Sequence, residues 1–80
     1  MDMNNFLIFA QKWDIVDDCL RAWYRENKKY ETGKYDGFVI FLRTKTPSIV
    51  IYEYNEPDRY EIELTFEDFV DFYTNVWKED

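Results

Sequence analysis

The sequence predicts a small α+β domain in the order α-β-β-β-α, with a three-stranded antiparallel sheet and both helices packed on one face. Three observations carry this. A long stretch of helical periodicity opens the chain, three short runs of β-forming residues fill its middle, and a second, capped helical pattern follows. Eighty residues form one domain, residues 1–80, near the size at which a single core only just offsets chain entropy. With two Gly, two Pro, no repeat and no low-complexity tract, the chain reads as ordered almost throughout.

The first helix is expected to begin near Asn4 or Asn5, either of which can cap the free amides of a first turn. Phe6, Phe9, Trp13, Val16, Leu20 and Trp23 then recur at spacings of three and four, which puts them on one apolar stripe. Asp14, Asp18, Arg21, Arg25 and Lys28 follow the opposite stripe. Asp17 and Arg21 form a favourable i,i+4 pair, and Arg25, Lys28 and Lys29 complement the helix dipole at its C-terminal end. A continuous helix from Asn4 to Lys28 would be about 37 Å long at 1.5 Å per residue, much for a small sheet, so a break is a second possibility. Gly33 suits the end of this element or the loop after it.

Gly37 opens the β-region. Phe38–Leu42, Ile49–Tyr52 and Tyr60–Leu64 read as strands of a meander, separated by Lys45-Thr46-Pro47 and by Glu56-Pro57-Asp58-Arg59. The second separator suits a type I turn centred on Pro57 and Asp58, which would set Tyr54 opposite Glu61 and Tyr52 opposite Glu63. The last helix is expected to start at Thr65, which forms a capping-box-like pair with Asp68, while Leu64 and Phe69 suit a hydrophobic staple. Glu67, Asp68 and Asp71 favour its first turns; Phe69, Val70, Phe72, Tyr73, Val76 and Trp77 supply the apolar face, leaving Glu67, Asp71, Thr74 and Lys78 outward.

Period-two alternation assigns Phe38, Ile40, Leu42, Ile49, Ile51, Ile62 and Leu64 to the helix-covered face. The open face receives Val39, Phe41, Arg43, Val50, Tyr52, Tyr54, Glu61 and Glu63. A face with Phe41, Val50, Tyr52 and Tyr54 at its centre is more apolar than water requires, and reads either as a contact surface or as a homodimer seam or partly covered sheet. Seventeen aromatic side chains are also more than so small a core easily hides.

Charge is unevenly distributed. Met1 to Lys45 holds seven acidic against eight basic residues, a net of +1, whereas Thr46 to Asp80 holds ten against two, a net of −8. Local fields of this kind act on partners and encounter rates. Glu61 and Glu63, two apart on a strand and so about 6.6–6.8 Å from each other, are expected to combine with Glu53 or Glu56 and with Glu67, Asp68 and Asp71 in a ladder of negative charge. Such a ladder can imitate regularly spaced phosphates, with Tyr52 and Tyr54 offering rings to the cations or aromatics that normally meet nucleic acid. The plainer alternative is solvent-side Glu protecting an edge strand from aggregation.

Several classes fit poorly. The chain has no His, the commonest general base and transition-metal ligand. Cys19 is the only cysteine and lies near the apolar stripe without a basic partner, so it reads as a core residue rather than a nucleophile. Its solitude also points away from a disulfide-stapled extracellular protein and toward the cytoplasm. The apolar run Phe6 to Ala10 lacks a basic leader and is too short for a signal peptide or membrane span. There is no calcium-loop spacing and no Gly-rich phosphate loop. No catalysis, no cofactor, no metal and no membrane association are expected.

The α-β-β-β-α order is similar to that of double-stranded-RNA-binding domains. Those need a basic helix end, whereas the last helix here begins Glu67-Asp68 and carries Asp71, so direct nucleic-acid binding is not expected. In size, acidity and coarse layout the chain is similar to small phage-encoded inhibitors, including anti-CRISPR proteins that occupy the cationic DNA channel of an RNA-guided nuclease. That resemblance implies a non-catalytic inhibitor, acting in the host cytoplasm, whose acidic surface blocks the basic groove of a nuclease, polymerase or other nucleic-acid-processing protein. The acidic surface of the second and third strands and the start of the last helix, not the resemblance, supplies the contact residues expected: Tyr52, Tyr54, Glu56, Glu61, Glu63, Glu67, Asp68 and Asp71. An immunity protein or antitoxin against a basic nuclease would use the same physics. The alternative is an assembly module or homodimer that pairs through the open aromatic sheet face.

Overall fold

Strands β1 (Lys34–Phe41), β2 (Ser48–Asn55) and β3 (Asp58–Thr65) form an antiparallel sheet in the order β1-β2-β3. Helices α1 (Met3–Phe9) and α2 (Trp13–Asn27) precede it, and α3 (Phe66–Phe72) follows, running on into a π-helical turn, Tyr73–Trp77. These elements come from a computed structural model that describes residues 3–42 and 47–77. Arg43 on the expected open face, Lys45 and Thr46 of the first separator, and Lys78 lie outside the described residues.

The opening helix is two helices. Lys12 and Gln11 donate to the carbonyls three residues back, Phe9 and Ile8, so the last turn of α1 tightens; Lys12 then leaves helical geometry and α2 starts at Trp13. Strands of eight residues span roughly 26 Å at about 3.3 Å per residue, too short to support a single helix of about 37 Å. Folding back brings Phe6 and Phe9 beside α3 instead: Phe6 meets Phe66 and Phe69 edge-on, and Phe9 lies against Phe69 and Tyr73. The break also corrects the expected stripe. Phe6, Phe9, Val16 and Leu20 are buried and Trp23 packs partly on the core, but Trp13, the first residue of α2, stays 58% exposed with its ring on Phe38.

One core joins the layers. Phe6, Phe9, Val16, Cys19, Leu20, Tyr24, Phe69 and Phe72 from the helices cluster with Phe38, Ile49, Ile51 and Leu64 from the sheet. Those four strand residues belong to the face that alternation assigns to the helices; Leu42, expected with them, stands exposed just past the end of β1. Thr65 caps α3, its Oγ1 accepting from the Asp68 amide at 3.0 Å. Val76, expected on the apolar face, is exposed in the π-helical turn. Cys19 is fully buried, and burial pushes its thiol up to about 12, so it takes the part of a core residue.

The strands are longer than their apolar runs. β1 pairs with β2 from Lys34–Tyr54 to Phe41–Ser48, with a bulge between Tyr35 and Phe38 that holds Asp36 and Gly37. Gly37, expected to open the β-region, lies inside β1, and its φ of 105° at the bulge is one that a side chain would strain. The extra residue leaves Tyr35 and Phe38 on the same side of the sheet, where Tyr35 reaches α2. Its hydroxyl donates to Asp17 Oδ1 at 2.7 Å, while Arg21 donates to Asp17 Oδ2 at 2.9 Å and lies over the Tyr35 ring at 4.6 Å.

Partial burial alone would raise the Asp17 carboxyl, but the hydrogen bonds from Arg21 and Tyr35 outweigh it and hold the group below its ordinary value. A depressed folded-state value stabilises above the unfolded pKa, and that stabilisation is lost as pH falls through the folded value. Asp17→Asn is therefore expected to cost about 1 kcal/mol at neutral pH. In urea melts the gap between variant and parent should close as pH drops below the carboxylate range; a constant gap would contradict the linkage.

The β2–β3 turn differs from the type I expectation. Asn55 pairs with Asp58, so the two-residue loop is Glu56-Pro57, joined by a cis peptide bond, and Pro57 takes the third turn position. Tyr54 therefore faces Arg59, Tyr52 faces Glu61 and Val50 faces Glu63. The register slips by two, which preserves every side chain's face.

Candidate functional site: the open sheet face

On the face away from the helices, cross-strand rows run from the hairpin tip toward α3 as Lys34–Tyr54–Arg59, Tyr52–Glu61, Val39–Val50–Glu63 and Phe41–Ser48–Thr65. Phe41 is 44% exposed, Tyr54 39% and Val39 36%, while Val50 is buried between its neighbours. Glu61 and Glu63 are exposed on β3, an edge strand, and lie on the same side. The structure thus brings Tyr52, Tyr54, Glu61 and Glu63 onto one surface, apolar on the β1 side and acidic on the β3 side.

Two features of that surface differ from the expected ladder. Arg59 lies over the Tyr52 ring at 4.1 Å and pairs through Nε with Asp36 Oδ2 at 2.8 Å. One ring face of Tyr52 is therefore already occupied by a cation of the same chain, and the Arg59 row separates Glu56, exposed in the hairpin turn, from Glu61 and Glu63. Moreover Glu53 does not belong to this face. It is fully buried on the helix side, where its Oε2 accepts from the Tyr24 hydroxyl at 2.7 Å and the Tyr30 amide at 3.2 Å, and its Oε1 has no hydrogen-bond partner among the described residues. Burial first, and then the bond to Glu53, pushes the Tyr24 phenol above its ordinary value. Alternation does carry this signal: Glu53 follows Ile49 and Ile51 at steps of two.

Glu67, Asp68 and Asp71 occupy the other layer. Their helix buries Phe69 and Phe72 in the core beneath the inner sheet face, so these carboxylates are exposed on the helix side rather than in line with Glu61 and Glu63. The amide of Asp68 is engaged by the Thr65 cap, and Asp71 accepts from the Asn75 side chain at 2.7 Å. Phe66, Glu67, Val70, Asp71, Thr74 and Asn75 line a shallow groove of about 450 Å³. Phe66 and Val70 repeat four apart beside Glu67 and Asp71, giving the groove an apolar row and an acidic row. A lysine or arginine fits such a surface, its stem on the apolar row and its head at the carboxylates.

Among the described residues no group of three or more potential ligands is placed to hold a metal ion, and no helix is long and apolar enough to cross a membrane. Set against known proteins, the chain matches no family model, no curated protein and no solved structure.

Proposed function

We propose that the chain is a non-catalytic, protein-binding inhibitor whose acidic surface occupies the basic groove of a nucleic-acid-processing protein, in the manner of a phage-type nucleic-acid mimic. The observation that carries the reading is the sheet face that the described helices leave uncovered. Glu61 and Glu63 stand exposed on it beside Tyr52 and Tyr54, in a half of the chain with ten acidic residues against two basic. Complementary potentials steer such encounters and suppress wrong partners. Tyr54 offers an exposed ring as an anchor, while Glu67 and Asp71 supply a second acidic contact on the helix side.

The experiment is capture at low salt followed by elution in a salt gradient. A retained basic nuclease, polymerase or CRISPR effector should be displaced by added DNA or RNA. Glu61→Lys combined with Glu63→Lys should weaken capture at least about 100-fold, because like charges then face each other across the contact, and should leave the thermal transition in place. Arg59→Gln, which removes the cation over Tyr52, should shift binding the opposite way. Undiminished capture by the double variant would rule this surface out.

A second reading has its own support in the exposure of Phe41, Tyr54 and Val39: an assembly module that pairs through the apolar side of the same face. Salt separates the two. Electrostatic capture weakens as screening increases, whereas apolar association holds or strengthens. Phe41→Ser with Tyr52→Ser should abolish the second and only weaken the first.

A further inference from the structure

The elbow between α1 and α2 is a second exposed apolar surface, on the layer opposite the open sheet face. Ile8, near the end of α1, is 59% exposed and Trp13, at the start of α2, 58%, and Leu7 and Ile15 are exposed as well. Gln11, Lys12, Trp13, Asp14 and Ile15 line a groove of about 410 Å³ at this point. A tryptophan in such a setting is costly to leave in water. The Trp13 ring is held against Phe38 with centroids 4.5 Å apart, so little conformational freedom remains to be lost when something covers it.

Charge selects the occupant. The whole chain carries −7, so two copies repel through the acidic half, but the elbow belongs to the half with a net of +1. A strongly basic partner gains nothing there. Lys12 and Asp14 flank Trp13, and neither takes part in an ion pair among the described residues. A two-fold axis through the elbow would set Lys12 of each copy against Asp14 of the other, twice over, around paired Trp13 rings. Lys12 and Asp14 line the same groove as Trp13 and Ile15, so the surface carries one charge of each sign around an apolar centre.

We propose that the elbow is a homodimer interface, in which a second copy of this chain covers Ile8, Trp13 and Ile15 and exchanges Lys12–Asp14 pairs. The dimer leaves both open sheet faces free, and it stands independently of the acidic-surface reading.

The test is sedimentation equilibrium of the full chain from low micromolar to near-millimolar concentration, with circular dichroism melts on each variant. The parent should approach twice the mass of one chain, and Ile8→Glu with Trp13→Ala should remain monomeric. Asp14→Lys should weaken the dimer at least about tenfold by setting like charges opposite each other. Adding Lys12→Asp to it should restore the dimer, a rescue that a folding defect would not produce. A parent that stays monomeric throughout would overturn the proposal. So would a dimer indifferent to these changes, including one dissolved only by Phe41→Ser with Tyr52→Ser, which would place the seam on the sheet face.

Discussion

Phe6→Ala is expected to cost about 3–5 kcal/mol, the range for emptying an aromatic site in a core that closes only partly around the void. Phe6 is fully buried and meets Phe66 at 5.1 Å and Phe69 at 5.4 Å, both edge-on. These contacts hold α1, which is only seven residues long, against α3. A helix of that length has no independent stability, so its order depends on this packing. For a domain of this size the loss corresponds to a fall of roughly 12–40 °C in Tm. Thermal melts followed by circular dichroism check the prediction; a shift of only a few degrees would mean that Phe6 does not fasten the two ends of the chain together. Phe6→Leu should recover much of the loss by refilling most of the volume.

Gly33→Ala is expected to cost about 2–4 kcal/mol, through overpacking and the displacement of a buried hydrogen bond. Gly33 closes the turn after α2, its amide donating to the Tyr30 carbonyl at 3.0 Å. Its backbone is outside the left-handed region, unlike that of Gly37, so the demand for glycine is one of space. A Cβ there would collide with the carboxyl of Glu53, which has no room to yield because it is fully buried and tied to Tyr24 and the Tyr30 amide. Tyr24→Phe tests the same unit from the other side and should cost about 1–3 kcal/mol by leaving the carboxyl short of a partner. Since both changes act on Glu53, the double variant should lose less than the sum of the two. Urea melts measure all three; a Gly33→Ala variant within about 0.5 kcal/mol of the parent would show that the Glu53 carboxyl does not press on this turn.

The candidate surface was partly legible in the chain. Alternation placed Tyr52, Tyr54, Glu61 and Glu63 on one face, and the structure puts them there even though the turn is shifted, because a slip of two residues cannot move a side chain across the sheet. The continuous ladder was not legible. Glu53 lies inside, Arg59 interrupts the rows, and the α3 carboxylates belong to the other layer. The inward place of Glu53 follows from its alternation with Ile49 and Ile51, but the other two depend on which strand residue meets which, or on which side a helix lies, and neither is a property of a residue's nearest sequence neighbours.

The length of a continuous helix made a break a possibility, but its position at Ala10–Lys12 was hidden for a similar reason. No Gly or Pro marks it, and the periodicity of Phe6, Phe9, Trp13, Val16 and Leu20 runs on through it. What ends α1 is the length of the sheet and the pull of the α3 aromatics, which act between segments some sixty residues apart. The exposed Trp13 and the elbow surface follow from that break.

By itself the sequence determined the α+β class, the three-stranded meander, the face of each strand, the Thr65 cap and the charge division between the two halves. These rest on local periodicity, capping chemistry and composition, which act over a few bonds or add up without regard to arrangement. Only the tertiary structure decided where the helix breaks, the bulge at Asp36–Gly37, the strand register, the partners that hold the Glu53 carboxyl and the layer on which each acidic cluster stands. Those outcomes minimise a single packing problem shared by distant segments, and no window of neighbouring residues contains all the terms of that problem.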